Sequence, residues 1–465
     1  MPSLDAQPSH RFATALLLLL LAAAAVLAYA WFRGGPPAIA ALDVPAAIGE
    51  HKLIGFSFHD DAGVASVEAH YVQAGKTIPL ARRTFSPRRW FTTGDAPPVV
   101  HFMLQAGRAD TPGLQDGPAQ LVVTARAANL RGAQATFTKA VTISSHPPVV
   151  YAMTSRIYLN QGGSAVVVYH VSGNAVRSGV EVAGDFFPGY PLPHAAPGGA
   201  GKTMFAFFGF PYNAPVTSLP VLQASDAAGN TATASLPVKL FPQTFRSRPM
   251  TITDGFIARV VMPIIANTPT IHDLHNPLQD FLLVNHTLRD MDEQDLVQAA
   301  KLTQPHMFWH GVFVQLDHAA VEARFADHRS YVYNGKVVDQ EDHLGYDLAS
   351  VRLAPVPAGN AGRVIWTKYF GIYGNCVLLD HGYGLMSLYA HLNDFTVKPG
   401  EMVAKGQIVG HTDSTGLAAG DHLHVSMLID GLQVNPLEWW DPNWVAGRIV
   451  AKLAKFQVAA PAAAH

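Results

Sequence analysis

The sequence contains only one cysteine, Cys376, among its 465 residues. A single cysteine excludes an intramolecular disulfide, and it excludes a zinc module built from several cysteine ligands. Cys376 lies in the apolar run GNCVLLDH, where a cysteine is expected to act as a small and inert core side chain. No part of the fold is therefore expected to depend on a cysteine cross-link.

Charge is also scarce, at 14% of the residues, and it is nearly balanced. The chain has 32 Lys and Arg residues against 34 Asp and Glu residues, which gives a net charge of -2. Binding to the nucleic-acid backbone requires a basic excess that this composition lacks. The sequence therefore gives no case for a nucleic-acid partner. The length instead predicts about three or four domains.

One long stretch, residues 12–32, carries no charge and is bracketed by two arginines. It is long enough to cross a bilayer, which needs about 20 apolar residues. A cleaved signal peptide is the alternative, because AYA at 28–30 resembles a cleavage site. The aromatic edge formed by Trp31 and Phe32 favours an uncleaved transmembrane anchor. In both cases the bulk of the chain is expected to be exported.

Two sets of short strand-like runs follow this segment. Runs such as KLIGFSFHD and VVHFMLQAG are broken by Gly, Pro, Asp and Asn, and this pattern is typical of β-sandwiches. The ends of the two sets look alike, so we predict two tandem sandwich domains, over 36–146 and 147–245. The phrase ASDAAGN in the second set resembles bacterial immunoglobulin-like modules. The predicted fold class is therefore mainly β.

Residues 246–310 are predicted to be a linker that contains a helical segment from Asn276 to about Gln304. Apolar residues recur there at mostly three- and four-residue steps, namely Leu278, Phe281, Leu282, Leu288, Met291, Leu296 and Val297. Helices of this length gain stability by packing. We consider two roles: a gate that packs near the functional groove and limits substrate entry, or a spacer that packs on the second sandwich.

Five polar residues near the C-terminus have a suggestive spacing. His343 and Asp347 are four positions apart, and His422 and His424 are two apart, so each pair would share one side of an extended strand. His391 ends the apolar run LMSLYAH. Zinc enzymes use three His, Asp or Glu ligands and keep a fourth position open. Two further imidazoles would supply proton transfer and transition-state stabilisation beside the metal.

These motifs resemble the M23 (LytM/lysostaphin-type) zinc metallopeptidases. That family has H-x-x-x-D, then a lone histidine after an aromatic-Ala pair, then H-x-H, and this chain has HLGYD, YAH and HLH in that order. The resemblance covers about residues 316–442, and it implies an antiparallel-β peptidase domain over 311–445. Residues 446–465 are predicted to be a tail, which ends in the disordered run VAAPAAAH. No HExxH occurs, so the helix-based zinc proteases are excluded.

The resemblance implies a role for each of the five residues. His343, Asp347 and His424 would be ligands of one Zn²⁺, and His391 and His422 would be the catalytic pair. His381, in LLDHGYG, is given no ligand role.

The implied function is a zinc metalloendopeptidase that cleaves peptide cross-links of bacterial peptidoglycan. The expected location is the inner membrane, single-pass, with the bulk in the periplasm, or outside the membrane if the N-terminal segment is cleaved. One alternative is a non-catalytic LytM-type protein that binds or activates other wall hydrolases. A lipid- or polysaccharide-binding protein would rest on the sandwiches alone. The five intact site residues favour the enzyme. The sequence identifies neither a regulatory partner nor the bond that is cut.

Overall fold

The computed structural model describes residues 10–86, 96–195 and 201–457. The chain forms two compact units. The first comprises Met1–Pro147 together with Ser225–Thr231, and the second comprises Pro148–Ala224 together with Ala232–His465. The predicted mainly β architecture is confirmed.

The N-terminal apolar stretch forms one helix, α1 (His10–Arg33). Its segment Phe12–Tyr29 has a mean hydropathy of 2.5 and is long and apolar enough to cross a membrane. A signal sequence meets the same criterion. The helix thus agrees with the predicted apolar span over 12–32 and is compatible with both interpretations of it.

Beyond α1, the described part of the first unit contains two β-sheets around one core. The residues of strand β6 (Val99–Gln105) alternate strictly between exposed and buried positions. This pattern is expected of a sheet that packs one face on the core and exposes the other to solvent. Phe56, Tyr71 and Leu121, from three different strands, are all fully buried in that core. The sheets have the orders β1-β3-β6 and β2-β8-β7-β4-β5. The strands are β1 (Ala38–Leu42), β2 (Ala47–Ile48), β3 (Leu53–His59), β4 (Val64–Gln73), β5 (Lys76–Thr84), β6 (Val99–Gln105), β7 (Gly117–Ala127) and β8 (Gln134–Ile143).

The second β region does not stand as a separate module, which differs from the prediction for 147–245. Phe205 of β15 packs 4.9 Å from Tyr383, and Phe207 packs 6.3 Å from Trp439, between ring centroids. Since these rings belong to one core with the C-terminal domain, the predicted boundary at 245 is not a break in packing. The likeness to immunoglobulin-like modules stays a prediction. The strands are β9 (Val150–Ala152), β10 (Ile157–Asn160), β11 (Ser164–Ser172), β12 (Ala175–Val182), β13 (Asp185–Pro188), β14 (Tyr190–Pro191), β15 (Gly201–Gly209), β16 (Val221–Asp226), β17 (Thr231–Ser235) and β18 (Val238–Phe241).

Residues 246–310 contain the predicted helices, but they are part of the core rather than a linker. Strand β19 (Ser247–Ile252) pairs in parallel with the later strand Asp327–Tyr333. Phe281 and Leu288 are buried against Tyr331 and Tyr373 of the C-terminal domain. These contacts place the segment on the C-terminal domain, whereas the spacer interpretation expected it on the second sandwich. The helices are α2 (Asp254–Phe256), α3 (Met262–Asn267), α4 (Pro277–Leu282) and α5 (Arg289–Ala300), joined by π-helical turns Ile257–Val261 and Leu283–Leu288.

The C-terminal domain is built on an eight-stranded sheet. Seven strands have the order β20-β23-β30-β27-β26-β25-β28, and β31 pairs with β30. A three-stranded sheet, β19-β21-β22, and the pair β24-β29 complete it. The strands are β20 (Ala320–Ala323), β21 (Asp327–Tyr333), β22 (Lys336–His343), β23 (Tyr346–Ala349), β24 (Pro355–Pro357), β25 (Gly362–Tyr369), β26 (Asn375–Gly382), β27 (Leu385–Ala390), β28 (Met402–Val403), β29 (Ile408–His411), β30 (Leu423–Ile429) and β31 (Leu432–Val434).

The two faces of this sheet pack against different partners. In β26, Cys376 and Leu378 belong to the core that contains the helical segment. Val377 and Leu379 belong to the core that contains the second β region. Side chains alternate across a strand, so the helices cover one face of the sheet and the second β region covers the other. Cys376 is fully buried, as predicted for a core thiol.

Residues 446–454 are helical, although the sequence predicted that a tail begins at residue 446. A helical stretch continues through α6 (Pro436–Trp440), α7 (Pro442–Trp444), the π-helical turn Val445–Val450 and α8 (Ala451–Ala454). Ile449 and Leu453 are buried in the main core, which explains why this stretch is ordered. The predicted tail therefore differs from the structure over 446–457. The run VAAPAAAH, residues 458–465, lies outside the described residues.

Candidate functional site

Strand register places the predicted metal ligands next to each other. His343 ends β22, Asp347 lies in β23, and His424 lies in β30. His424 has two direct cross-strand partners, which are Asp347 of β23 on one side and Ala390 of β27 on the other. His391 follows Ala390 immediately. One row across the sheet thus collects residues that lie up to 77 positions apart in the chain, and His343 joins them from the end of β22.

Three potential ligand atoms converge on one point. Nε2 of His343 lies 2.9 Å from Oδ1 of Asp347 and 3.0 Å from Nδ1 of His424. The third distance, from His424 Nδ1 to Asp347 Oδ1, is 3.0 Å. All three residues are buried. Ligands of a tetrahedral zinc ion with bonds near 2.0–2.1 Å lie about 3.3 Å apart, so small shifts would accommodate the ion.

The outer hydrogen bonds of both histidines leave lone pairs at this point. Nδ1 of His343 lies 3.0 Å from the Arg324 carbonyl oxygen, which only accepts, so Nδ1 carries the proton. The Ser426 hydroxyl donates to the Leu344 carbonyl oxygen and therefore accepts from Nε2 of His424 at 2.9 Å. The two nitrogens that face Asp347 are then unprotonated in neutral rings. Such second contacts on metal-binding histidines fix the tautomer in the same way.

The charge state of the three residues also suits a cation. Burial alone would raise the pKa of Asp347, but positive charge at His343 and hydrogen bonds from His343, His422 and His424 hold it well below its usual range. Since the rings of His343 and His424 are neutral, a metal ion would have to supply that positive charge. Burial lowers the pKa of His424 to about 4. An anionic oxygen and two nitrogen lone pairs within 3.0 Å repel each other unless a positive charge lies between them. The donor set therefore fits a divalent metal such as zinc.

His391 and His422 lie beside this point as a second pair. Their ring centroids are 4.8 Å apart, and that of His391 is 5.8 Å from that of His424. Nδ1 of His391 donates to the Thr415 carbonyl oxygen at 2.7 Å, which leaves its Nε2 as a base. Burial, together with His422 and His424, lowers the pKa of His391 well below its usual range. The ring is thus neutral at neutral pH.

His422 has a different environment from His391. Nδ1 of His422 donates to the Gly420 carbonyl oxygen at 2.8 Å, and its Nε2 lies 3.5 Å from Oδ1 of Asp347. Burial works against the charged ring, but the hydrogen bond to Asp347 outweighs it and raises the pKa of His422. The pair thus combines a neutral imidazole with one that holds its proton more tightly.

The five residues line one groove with a volume of about 440 Å³. Three arginines, Arg248, Arg289 and Arg329, line it as well, and none of them belongs to a motif in the sequence. Arg329 donates to Oδ2 of Asp347 at 3.1 Å, and Arg289 belongs to helix α5. An arginine eighteen residues before an aspartate has no local signature, so only the pairing of the strands reveals these contacts.

Two other histidine settings have structural explanations. His381 is fully buried, with Nδ1 at 2.8 Å from the Ala361 carbonyl oxygen and Nε2 at 2.7 Å from the Ser387 hydroxyl, so both ring nitrogens have protein partners. A second group, His286, Asp339 and Glu341, is more exposed. Its Glu341 already faces His286 at 2.9 Å.

Comparison with known proteins finds a family match over the segment that contains this site. The model of peptidase family M23 matches residues 341–436. The DD-carboxypeptidase/endopeptidase Mpg of Neisseria meningitidis is 39% identical over 95 residues, which are 20% of this chain and 22% of that protein. The peptidoglycan DD-endopeptidase ShyA of Vibrio cholerae is 35% identical over 96 residues, which are 21% of this chain and 22% of that protein. The chain thus matches about a fifth of the length of these curated relatives.

A solved structure gives a broader but weaker likeness. A zinc-containing peptidase from Vibrio cholerae covers 69% of this chain and 81% of its own, with 14% identity and a TM-score of 0.26. The matched segment, 341–436, contains all five of the residues described above. The chain therefore carries a peptidase M23 domain, as the motifs predicted.

Proposed function

We propose that this chain, which carries an M23 domain, is a zinc-dependent endopeptidase that cleaves peptide cross-links of bacterial peptidoglycan. One observation supports the proposal above all others. His343, Asp347 and His424 direct two lone pairs and one anionic oxygen to a single point, beside two further imidazoles in an open groove. Proteins that merely bind a partner have no need for this costly concentration of unprotonated nitrogens in a buried place.

The proposed roles follow from the atoms that each residue presents. His343 Nε2, Asp347 Oδ1 and His424 Nδ1 would hold the metal. Zinc bound there would supply a Lewis acid that polarises the scissile carbonyl group and activates water.

The second pair of histidines is proposed to handle protons. Nε2 of His391 can accept a proton from the water that attacks the peptide, because Nδ1 is committed to Thr415. His422, whose pKa is raised beside Asp347, can donate a hydrogen bond to the developing oxyanion. The Arg329 guanidinium keeps Asp347 oriented between these partners.

The substrate is proposed to be the D-Ala-linked cross-link. Two relatives of the M23 segment are named as a DD-carboxypeptidase/endopeptidase and a peptidoglycan DD-endopeptidase, and these names favour that bond over glycine bridges. The helix α1 is proposed to anchor the protein in the inner membrane, with the bulk in the periplasm. Sequencing the N-terminus of the mature protein would show whether the chain is cleaved after Ala30.

A digestion assay tests the activity directly. The zinc-loaded full chain, in detergent, is incubated with purified peptidoglycan, and the fragments are separated and identified by mass spectrometry. Cross-linked dimers should disappear and monomers should accumulate, and the His391→Ala variant should leave the dimers intact. A folded, zinc-loaded chain that leaves every dimer uncut would overturn the proposal. If that chain instead accelerated another wall hydrolase, the non-catalytic alternative would replace it.

A further inference from the structure

The helical segment lies on the same face of the sheet as the site. In β30, His424 and Leu428 are four positions apart, so they point to one face. Leu428 belongs to the core formed with the helices, whereas the intervening Val425 and Met427 belong to the opposite core. The helices therefore cover part of the surface on which the site is built.

A buried hydrogen bond joins helix α5 to the turn Gly371–Tyr373 beside the site. Asp292 is 3% exposed, and its Oδ2 accepts a hydrogen bond from the Ile372 backbone N–H at 2.9 Å. Ile372 is the middle residue of the 3₁₀ turn Gly371–Tyr373. The first N–H groups of a helical turn have no partner within it, so Asp292 satisfies a donor that would otherwise be buried without one.

The approach of Asp292 to this turn requires a glycine. Gly371 has a φ of 44°, in the left-handed region, and a Cβ atom there would lie 2.1 Å from Oδ2 of Asp292. Any other residue would both strain the backbone and push the helix away. The contact between the carboxylate and the turn thus depends on having glycine at position 371, so it is more specific than ordinary side-chain packing.

The Gly371–Tyr373 turn is hydrogen-bonded to the backbone of His391. The Tyr373 carbonyl oxygen accepts from the His391 N–H at 2.9 Å, and the Ile372 carbonyl oxygen accepts from the Leu417 N–H at 2.8 Å. The segment that contains Leu417 also contributes Thr415, whose carbonyl oxygen binds Nδ1 of His391. His391 itself has a φ of 60°, so its backbone is in a conformation that requires support. The backbone N–H of His391 is therefore held by this turn directly, and its ring Nδ1 is held indirectly, through the segment that contains Thr415 and Leu417.

We propose that Asp292 is a positioning residue for His391, and that the helical insert supports the catalytic groove through the Gly371–Tyr373 turn rather than gating it. This inference rests on the proposed function. Without the Asp292 hydrogen bond, the turn would shift and carry the His391 ring with it. Because displacements near 1 Å reduce catalysis by about 100-fold, the effect should appear in turnover and leave metal binding unchanged.

The experiment compares variants of the zinc-loaded full chain in detergent. Asp292→Ala should lower kcat by roughly 10- to 100-fold, with KM and zinc content unchanged. Asp292→Asn keeps an oxygen acceptor for the Ile372 N–H and should restore kcat to near the wild-type value. Burial raises the pKa of Asp292 to about 7, so a neutral amide is a close substitute.

Two controls separate positioning from general destabilisation. Asp290→Ala makes the same substitution in the same turn of α5, at an exposed position, and should not change kcat. Leu296→Ala opens the buried packing of the same helix and should lower the melting temperature without lowering kcat. Wild-type kcat in Asp292→Ala, or a loss in Asp292→Asn as large as that in Asp292→Ala, would overturn the proposal.

A further variant, Asp292→Glu, and a measurement that does not require activity test the proposal if Asp292→Ala does not fold or the wild-type chain is inactive. If Asp292→Ala does not fold, Asp292→Glu keeps the carboxylate but shifts its oxygens by one methylene toward Gly371, and full kcat there would also overturn the proposal. The rate at which diethylpyrocarbonate modifies His391, read by peptide mass spectrometry, does not require activity. It should change in Asp292→Ala and not in Asp290→Ala. If the wild-type chain were inactive, the proposed function would fail, and this rate would still decide the role of Asp292.

Discussion

The guanidinium of Arg329 lies 3.1 Å from Oδ2 of Asp347, while Oδ1 of the same carboxylate faces His343 and His424. The two oxygens of one side chain therefore have separate partners. Arg329 lies on β21, in the three-stranded sheet that also carries His343, whereas Asp347 and His424 lie in the eight-stranded sheet. A carboxylate held in this way can present only Oδ1 to a metal, so the guanidinium fixes its direction.

Replacing Arg329 should weaken zinc binding. Arg329→Met removes the hydrogen bond that orients Asp347, and contacts of this kind are worth about 10- to 100-fold in metal affinity. The zinc Kd, measured by competition with a chelating dye, should rise by that factor. Arg248→Met is the matched control, because Arg248 lines the same groove and makes no ion pair within the described part of the chain. Equal Kd values for both variants and the wild type would contradict this role.

His424→Ala should abolish metal binding. The substitution removes one of three converging ligand atoms, and two ligands rarely retain zinc against a chelator. Metal analysis after dialysis should find about one zinc per wild-type chain and almost none in the variant. His411→Ala should keep its zinc, since His411 pairs with Asp394 instead. Full metal occupancy in folded His424→Ala would show that the ligand assignment is wrong.

His391→Ala should retain zinc and lose turnover. Nε2 of His391 is the unprotonated nitrogen beside the metal point, and loss of a general base costs about 100-fold or more. Release of monomers from cross-linked peptidoglycan is the measurement, with metal content determined on the same sample. A variant that cleaves as fast as the wild type would remove His391 from the mechanism.

The helical segment should be needed for folding of the C-terminal domain. A fragment that begins at Gly311 lacks the helices that cover Cys376, Leu378 and Leu388, so this apolar face would be exposed to water. A fragment that begins at Ser247 lacks the same N-terminal regions but keeps the helices. It should melt at a clearly higher temperature and bind less of a hydrophobic dye. Identical melting curves would show that the helices are dispensable for the fold.

Asp430 should make stability depend on pH. Asp430 and Gly431 both have positive φ values and connect β30 to β31 in a tight hairpin turn. Oδ2 of Asp430 is buried and finds no hydrogen-bond partner among the residues that the structure describes. Burial raises the pKa of Asp430 to about 8. Between pH 4 and 8 the folded state thus holds a proton that the unfolded chain releases, so this group's contribution to stability falls as the pH rises.

The Asp430→Asn variant tests this dependence. Asparagine has no charge to bury and tolerates the left-handed backbone conformation. The variant should gain melting temperature over the wild type at pH 9 and differ little at pH 4. The difference between the two melting temperatures, recorded across this range, is the measurement. If the difference in melting temperature between Asp430→Asn and the wild type did not change with pH, burial of the Asp430 charge would not be the cause of that difference.

Much of the site was predictable because its signature is local. The residue types and spacings in HLGYD, YAH and HLH identified the five residues, although His343 and Asp347 do not share one extended strand as predicted. They lie on β22 and β23, which are separated at Leu344 and Gly345. The chemical types, histidine and aspartate, narrow the possible reactions further. The N-terminal helix was predictable for a similar reason, since an uninterrupted apolar run of this length is uncommon outside membranes and targeting segments.

By itself, the sequence determined the mainly β class, the apolar N-terminal helix and the five polar residues that meet in the groove. Tertiary structure alone decided that the helical insert shares a sheet face with these residues. It also decided that Arg329 holds Asp347, and that Phe205 and Phe207 join the second β region to the C-terminal core. These contacts connect common residue types across long stretches of chain. Periodicity reports which side of an element is apolar, but it does not report which partner covers that side, and this choice depends on the packing of the whole unit.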